Sequence, residues 1–152
     1  MELSSKTHVR VRYSETDQMG IVYHSNYLVW FEVGRAELFR GLDLPYTKID
    51  EQGLGLAIIE ANCHYRQPAR YDDDLVIITR LDHISARSVR FYYRIYREET
   101  LLAEGKTVHV FINKEGRLAD VRRYVFWTRM QAIIEKHKEN LADVKLLKNS
   151  QK

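Results

Sequence analysis

The 152-residue sequence contains a single cysteine, Cys63. One thiol cannot form an internal disulfide, and it cannot supply a cysteine-based zinc site. No stretch approaches the roughly 18 uninterrupted apolar residues of a membrane-spanning helix, so we expect no membrane span. The first six residues, MELSSK, lack the apolar centre of a signal peptide. Together these absences predict a cytoplasmic protein.

Concentrated charge is also missing from this chain. Twenty-four Lys and Arg are balanced by 21 Asp and Glu, which leaves a net charge of +3. A nucleic-acid-binding protein normally carries a concentrated basic face, so we expect no nucleic-acid partner. Hydrophobic residues make up 45% of the sequence and are spread over the first 130 positions, which indicates one ordinary globular core.

The order of local patterns predicts an α+β domain. His8–Tyr13 alternates apolar and charged residues, as a half-buried strand does. From about Ser25 the apolar residues recur at helical spacing, and Gly41 and Pro45 end this helix. Gly34 in its middle is unfavourable for a helix by about 1 kcal/mol, which suggests the close approach of another backbone.

Downstream of the helix, strands follow one another without intervening long helices, which favours an antiparallel sheet. The predicted elements are a short helix over Tyr46–Gln52, strands over Leu56–Tyr65, Leu75–Asp82 running into His83–Arg97, and Leu101–Asn113, and a helix over Phe126–Asn140. We expect one domain over residues 1–140 and a frayed polar tail over 141–152. A sheet of this kind leaves one edge that a second copy of the chain would cover.

The segment Tyr13–Tyr27 is the strongest candidate for chemistry. It places acids, a histidine and hydroxyl groups between a strand and the start of a buried helix. Unpaired N–H groups at a helix N-terminus can polarise a carbonyl, and an aspartate such as Asp17 can activate water or attack directly. The alternative is that Glu15 and Asp17 form a turn and that Ser25 or Asn26 caps the helix.

The same segment, RYSETDQMGIVYHSNY followed by Trp30-Phe31-Glu32, resembles the signature of hot-dog-fold acyl-CoA thioesterases. It is most similar to the 4-hydroxybenzoyl-CoA thioesterase family and its Tol-Pal-associated branch. The resemblance implies a hot-dog fold, a curved antiparallel sheet wrapped around one central helix. It also implies that Asp17 is the catalytic carboxylate and that the His24 N–H polarises the thioester carbonyl. Whether the His24 ring acts directly stays open at this point.

The resemblance extends to substrate contacts. Tyr23 in the motif, and Ile58 and Ile59 in the strand that would line the pantetheine channel, are candidate substrate-binding residues. Coenzyme A carries phosphates that need basic partners. Arg87 and Ser88 are the candidates, because they lie at the position where the resembled enzymes place such contacts; the alternative is an exposed turn. Arg66 and Arg70 are alternatives for the phosphates.

These expectations define a hydrolase that converts an acyl-CoA thioester into a carboxylic acid and CoA, with no metal and no other cofactor. Asp17 serves either as a general base or as a nucleophile. We expect a homo-oligomer, either a dimer or a dimer of dimers. Two alternatives remain: a thioesterase acting on acyl carrier protein, and a non-catalytic acyl-CoA-binding protein of the same fold.

Overall fold

The computed structural model describes residues 3–150 and contains one antiparallel sheet packed on a long helix. The strands and helices, in chain order, are β1 (Leu3–Arg10), α1 (Asn26–Gly41), α2 (Tyr46–Glu51), β2 (Gly55–Tyr65), β3 (Asp74–Ile84), β4 (Ser88–Arg97), β5 (Thr100–Ile112) and α3 (Val125–Ser150). The sheet order is β1-β3-β4-β5-β2, and every neighbouring pair is antiparallel. The predicted curved sheet around a central helix is confirmed.

Helix α1 lies against the sheet and is covered on most sides, as its apolar pattern predicts. Phe31 and Phe39 are completely buried, and the Phe31 ring stacks on Tyr93 of β4 with centroids 4.2 Å apart. A Cβ atom on Gly34 would overlap Thr79 Oγ1 and would lie 2.9 Å from Ile77 Cγ2. The close approach expected at Gly34 is therefore present, but side chains of β3 make it rather than a backbone.

The first strand differs from the prediction. β1 covers Leu3–Arg10 instead of His8–Tyr13, and Tyr13 begins a short 3-10 helix, Tyr13–Glu15. The Tyr13 side chain is 77% exposed, so it does not belong to the buried face of the predicted half-buried strand. The regular pairing of β1 with β3 ends before Val11. The Val11 N–H donates to the carbonyl of Asp73 at 2.9 Å, and Asp73 precedes the first residue of β3.

The sheet ends at two edge strands, β1 and β2, and β2 is irregular. The register between β2 and β5 shifts between Ile58 and Glu60, so Ile59 is an extra residue in the strand. A bulge of this kind breaks the simple alternation of faces. Ile58 and Ile59 are accordingly both exposed, at 49% and 63%.

The last helix is longer than its sequence pattern predicts. Phe126 and Met130 near the start of α3 are fully buried and join the core, in agreement with the predicted helix. The helix then continues through residues 141–150 with exposed side chains, so the expectation that this segment is frayed differs from the structure. None of the helices within residues 3–150 has the length and apolar character needed to cross a membrane.

Candidate active site

The loop that joins β1 to α1 holds Asp17 in a closed turn. The Asp17 N–H donates to the Ile21 carbonyl at 2.8 Å, and the Gly20 N–H donates to the Asp17 carbonyl at 2.9 Å. Gly20 has φ of +77°, a conformation that favours glycine. The Asp17 side chain accepts the Met19 N–H through Oδ1 at 2.8 Å, while Oδ2 has no donor within residues 3–150. One carboxylate oxygen therefore anchors the side chain, and the other is available.

The start of α1 presents backbone donors that the protein itself does not use. The Asn26 N–H bonds to the Tyr23 carbonyl at 3.0 Å, but the Ser25 side chain makes no capping hydrogen bond. In the part of the chain that the structure describes, neither the His24 N–H nor the Ser25 N–H donates to a protein acceptor. Both groups lie at the positive end of the helix dipole, so they can bind a carbonyl oxygen that gains negative charge.

Glu15 anchors the loop from inside, a role that sequence reasoning missed. Its side chain is 4% exposed and accepts the Trp30 Nε1–H at 2.9 Å and the Arg12 N–H at 2.8 Å. Its carbonyl accepts the Tyr23 N–H at 2.9 Å and the Asn26 side-chain amide at 2.8 Å. Glu15 is therefore neither a solvent-exposed turn residue nor a catalytic group. No spacing rule pairs an acid in a loop with a tryptophan 15 residues later, so the sequence carried no signal for it.

The segment between β2 and β3 contacts the N-terminal end of α1 and the loop before it. The Tyr27 hydroxyl accepts the Ala69 N–H at 3.2 Å, and the Ala69 carbonyl accepts the Val22 N–H at 2.8 Å. Tyr65, the last residue of β2, donates its hydroxyl proton to the His24 carbonyl at 2.9 Å. Desolvation raises the pKa of Tyr65 to about 12, and burial also raises the pKa of Tyr27. Both hydroxyl groups are therefore protonated at neutral pH.

These parts surround a cleft of about 390 Å³. Asp17, Tyr23 and His24 are among its lining residues, together with Tyr65, Gln67 and Arg66, one of the alternatives for the CoA phosphates. The Tyr23 and His24 rings are in contact, with centroids 4.4 Å apart. The structure thus brings together three of the predicted site residues, and it adds Tyr65 and Gln67, which had no sequence signal.

The remaining predicted site residues lie elsewhere in the chain. Ile58 and Ile59 are in the middle of β2, about 20 Å along the strand from Tyr65 at the usual rise per residue. Arg87 and Ser88 lie at the turn between β3 and β4, and Arg87 is exposed. The 11 residues of β3 span about 35 Å. This turn is therefore at the opposite end of the sheet from the Asp17 loop, and one chain alone does not bring these residues to the cleft.

A larger cleft of about 560 Å³ lies on the face of the sheet that points away from α1. Its charged side chains are already paired: Arg94 lies 3.7 Å from the Glu104 carboxylate, and Lys106 lies 2.8 Å from Glu60. No helix N-terminus opens into it. Within residues 3–150 no three His, Cys, Asp or Glu side chains are grouped so as to hold a metal ion. The smaller cleft is thus the better candidate for chemistry.

The arrangement in the smaller cleft suits attack on a carbonyl group. An available carboxylate oxygen can take a proton from water, while N–H groups at the helix start stabilise negative charge on the carbonyl oxygen. The apolar side chains of Met19, Ile21 and Val22 beside them offer a surface for an uncharged part of a ligand.

Comparisons with known proteins identify the family of this chain. Residues 11–141 match the thioesterase-like superfamily. The chain is 37% identical over 113 residues to "Putative acyl-CoA thioesterase YneP" of Bacillus subtilis, which covers 74% of this chain and 82% of that protein. The structure of a DHNA-CoA thioesterase from Staphylococcus aureus superimposes with a TM-score of 0.77 at 26% identity, covering 98% of this chain and 95% of that one. A 4-hydroxybenzoyl-CoA thioesterase shares the fold, with a TM-score of 0.74 at 23% identity over 85% of this chain and 97% of that one.

The predicted hot-dog fold and the predicted enzyme class, a thioester hydrolase, are thus both confirmed. The chain belongs to the thioesterase-like superfamily.

Proposed function

We propose that this chain hydrolyses acyl-CoA thioesters through the cleft at the start of α1. The observation that carries the proposal is the presence of an available Asp17 carboxylate oxygen and of His24, whose N–H is unpaired, in the lining of one cleft. Asp17 takes a proton from a water molecule, which attacks the thioester carbon, and the His24 N–H stabilises the oxyanion. The carbon–sulfur bond then breaks, which yields a carboxylic acid and the CoA thiol.

Release of free thiol from a panel of acyl-CoA substrates tests the reaction. Asp17→Asn removes the base and keeps the size of the side chain and its bond from Met19, so turnover should fall by about 10²–10⁴ while the fold is kept. A variant that retains the wild-type kcat on the best substrate would refute the role of Asp17. A single turnover in ¹⁸O-labelled water separates the two roles of the carboxylate. Direct attack by Asp17 forms a mixed anhydride, and attack of water on its Asp17 carbonyl leaves label on the enzyme, whereas general-base catalysis places label only in the product acid; label on Asp17 therefore demonstrates direct attack.

His24 enters this mechanism through its backbone. Over the described residues its ring makes no hydrogen bond, whereas its N–H is positioned at the helix start. His24→Ala keeps the N–H and removes the ring, so kcat should fall less than about tenfold if the backbone is the donor. A loss as large as that of Asp17→Asn would assign the ring a direct chemical role.

A second copy of the chain would complete the site. β2 is an edge strand whose outer side is unpaired and which exposes Ile58 and Ile59. If two β2 strands pair antiparallel about a two-fold axis, the Gly55 end of one strand lies beside the Tyr65 end of the other. The partner's turn that carries Arg87 and Ser88 would then be at the same end of the joint sheet as the Asp17 loop. This pairing supports the assignment of all four residues to substrate binding.

Sedimentation tests this assembly. We expect a species of at least twice the 18.1 kDa chain mass at micromolar concentration. Ile59→Asp places a charge in the proposed interface and should give a monomer with little activity. Leu118→Asp is the matched control, because Leu118 is equally exposed, at 66%, but is not on the β2 edge. A wild-type monomer that is fully active would refute the composite site.

The carrier of the acyl group is the second point to be tested. Acyl carrier protein and CoA present the same pantetheine thioester, so the cleft chemistry would serve either of them. Comparing kcat/KM on an acyl-CoA and on the same acyl group attached to acyl carrier protein distinguishes the two. Binding of acyl-CoA without any thiol release would instead support a non-catalytic binding protein.

A further inference from the structure

Tyr65 makes a contact that the proposed reaction does not account for. It ends the edge strand β2, and its hydroxyl donates to the His24 carbonyl at 2.9 Å. Its ring lies edge-on against Tyr27 with centroids 5.1 Å apart. This hydrogen bond therefore links the end of β2 to the residues that precede α1.

This bond is the shorter of two hydrogen bonds to the His24 carbonyl. The Tyr27 N–H donates to the same oxygen at a long 3.4 Å. Tyr65 is 50% exposed as a residue, while desolvation raises the pKa of its hydroxyl. The Tyr65 bond therefore contributes most to fixing the peptide that it holds.

That peptide adjoins the free donor that lines the cleft, the His24 N–H. The carbonyl of His24 and the N–H of Ser25 belong to one planar trans peptide group and point in opposite directions, so the Ser25 N–H points away from Tyr65. A hydrogen bond to the carbonyl fixes the plane of this group, and it thereby restricts the backbone rotation at His24 that would turn the His24 N–H out of the cleft.

We propose that Tyr65 is a positioning residue for thioester hydrolysis, which holds the backbone at His24 so that the His24 N–H faces the carbonyl oxygen in the transition state. The inference rests on the proposed function. Tyr65 acts through the backbone of another residue and does not exchange a proton with the substrate. Its pKa of about 12 agrees with this role, since the hydroxyl stays a donor over the working pH range.

The expected signature is a separation of kcat from KM. Tyr65→Phe removes only the hydroxyl, so the ring contact with Tyr27 is kept. A donor that matters mainly in the transition state affects kcat, so we expect kcat to fall about tenfold and KM to change less than twofold. The pH profile of kcat should keep its shape, because no titrating group has been removed. Tyr71→Phe is the matched control, since Tyr71 is 58% exposed and, among the aromatic rings of residues 3–150, its ring contacts only that of Tyr13.

A vibrational measurement reads the carbonyl directly. In the Asp17→Asn background a ¹³C-labelled thioester remains bound without turnover, and hydrogen bonds to its oxygen lower the carbonyl stretching frequency. Adding Tyr65→Phe should reduce this shift, while adding Tyr71→Phe should leave it unchanged. A merely structural role of Tyr65 would not move this frequency.

The outcomes separate this inference from the proposed function. If the wild-type chain releases thiol from acyl-CoA but Tyr65→Phe has an unchanged kcat and carbonyl frequency, the positioning role is refuted and the hydrolase remains. A rise in KM with an unchanged kcat also refutes it, because it assigns Tyr65 to ground-state binding. If the wild-type chain releases no thiol from any thioester, the proposed function itself is refuted.

Discussion

Glu15→Gln should destabilise the fold although it is nearly isosteric. Both carboxylate oxygens accept from N–H groups: Oε1 from the Arg12 backbone at 2.8 Å and Oε2 from Trp30 Nε1 at 2.9 Å. Glutamine has one acceptor oxygen, so its amide NH₂ must face one of these two donors. The substitution therefore loses one bond and leaves a buried N–H without an acceptor.

The size of the effect follows from these contacts. Losing a charge-assisted hydrogen bond costs about 1.5–3 kcal/mol, and a buried unpaired donor costs about 1–3 kcal/mol. The ion pair with the Arg12 side chain, at 3.3 Å, adds little because that side chain is 73% exposed. Since the two larger contributions overlap, we expect the free energy of unfolding to fall by about 2–4 kcal/mol. For a chain of this length the Tm should fall by about 5–15 °C.

Urea denaturation followed by tryptophan fluorescence measures this change, at one protein concentration because an oligomer's stability depends on concentration. Glu99→Gln is the matched control, since Glu99 is exposed in the turn between β4 and β5. kcat should also fall severalfold, because the Glu15 backbone holds Tyr23 and Asn26. The control should lower the free energy of unfolding by less than about 0.5 kcal/mol. If Glu15→Gln has an equally small effect, the buried hydrogen bonds of Glu15 do not stabilise the loop.

Three further predictions concern the core and the surface. Gly34→Ala should destabilise the fold by about 1–2 kcal/mol, because the overlap with Thr79 outweighs the gain in helix propensity. Burial, aided by the positive charge of Arg35, lowers the pKa of His109 to about 4. Below about pH 6.5 His109 is therefore protonated in the unfolded chain but stays neutral in the folded chain. The free energy of unfolding should fall by up to about 3 kcal/mol between pH 6.5 and 4. Arg87→Ala should raise KM for acyl-CoA about tenfold with kcat nearly unchanged, and less at high salt.

Each of these three predictions has its own control. Gly41→Ala serves for Gly34, because nothing lies within 4 Å of a Cβ added at Gly41, and equal effects would contradict the overlap. His109→Gln should remove the drop in stability between pH 6.5 and 4, and an unchanged drop would assign it to other groups. For Arg87, a pantetheine thioester without the nucleotide should show no difference between variant and wild type. An equal rise in KM on both substrates would show that Arg87 does not contact the phosphates, and Arg66 or Arg70 would then be the candidates.

Local patterns in the sequence were sufficient for most of the fold. The helix over Asn26–Gly41, the short helix after Pro45 and the strands from β2 to β5 follow from periodicity and from turn residues, because these signals act between near neighbours in the chain. The motif around Asp17 and His24 likewise identified the thioesterase-like superfamily, since its residues are contiguous. Burial of α1 on several sides was readable from its apolar residues alone.

Contacts between distant residues were not readable in this way. Glu15 bonds to Trp30 across the loop, and Tyr65 reaches His24 from 41 residues away. The bulge at Ile59 depends on how β2 pairs with β5. In each case the partner is selected by packing in three dimensions, which leaves no period in the sequence. The placement of Arg87 at the far end of the sheet has the same origin, because chain order does not reveal which end of a strand faces the site. Only the assembled sheet shows that one chain brings Asp17 and His24 together and keeps Arg87 apart from them.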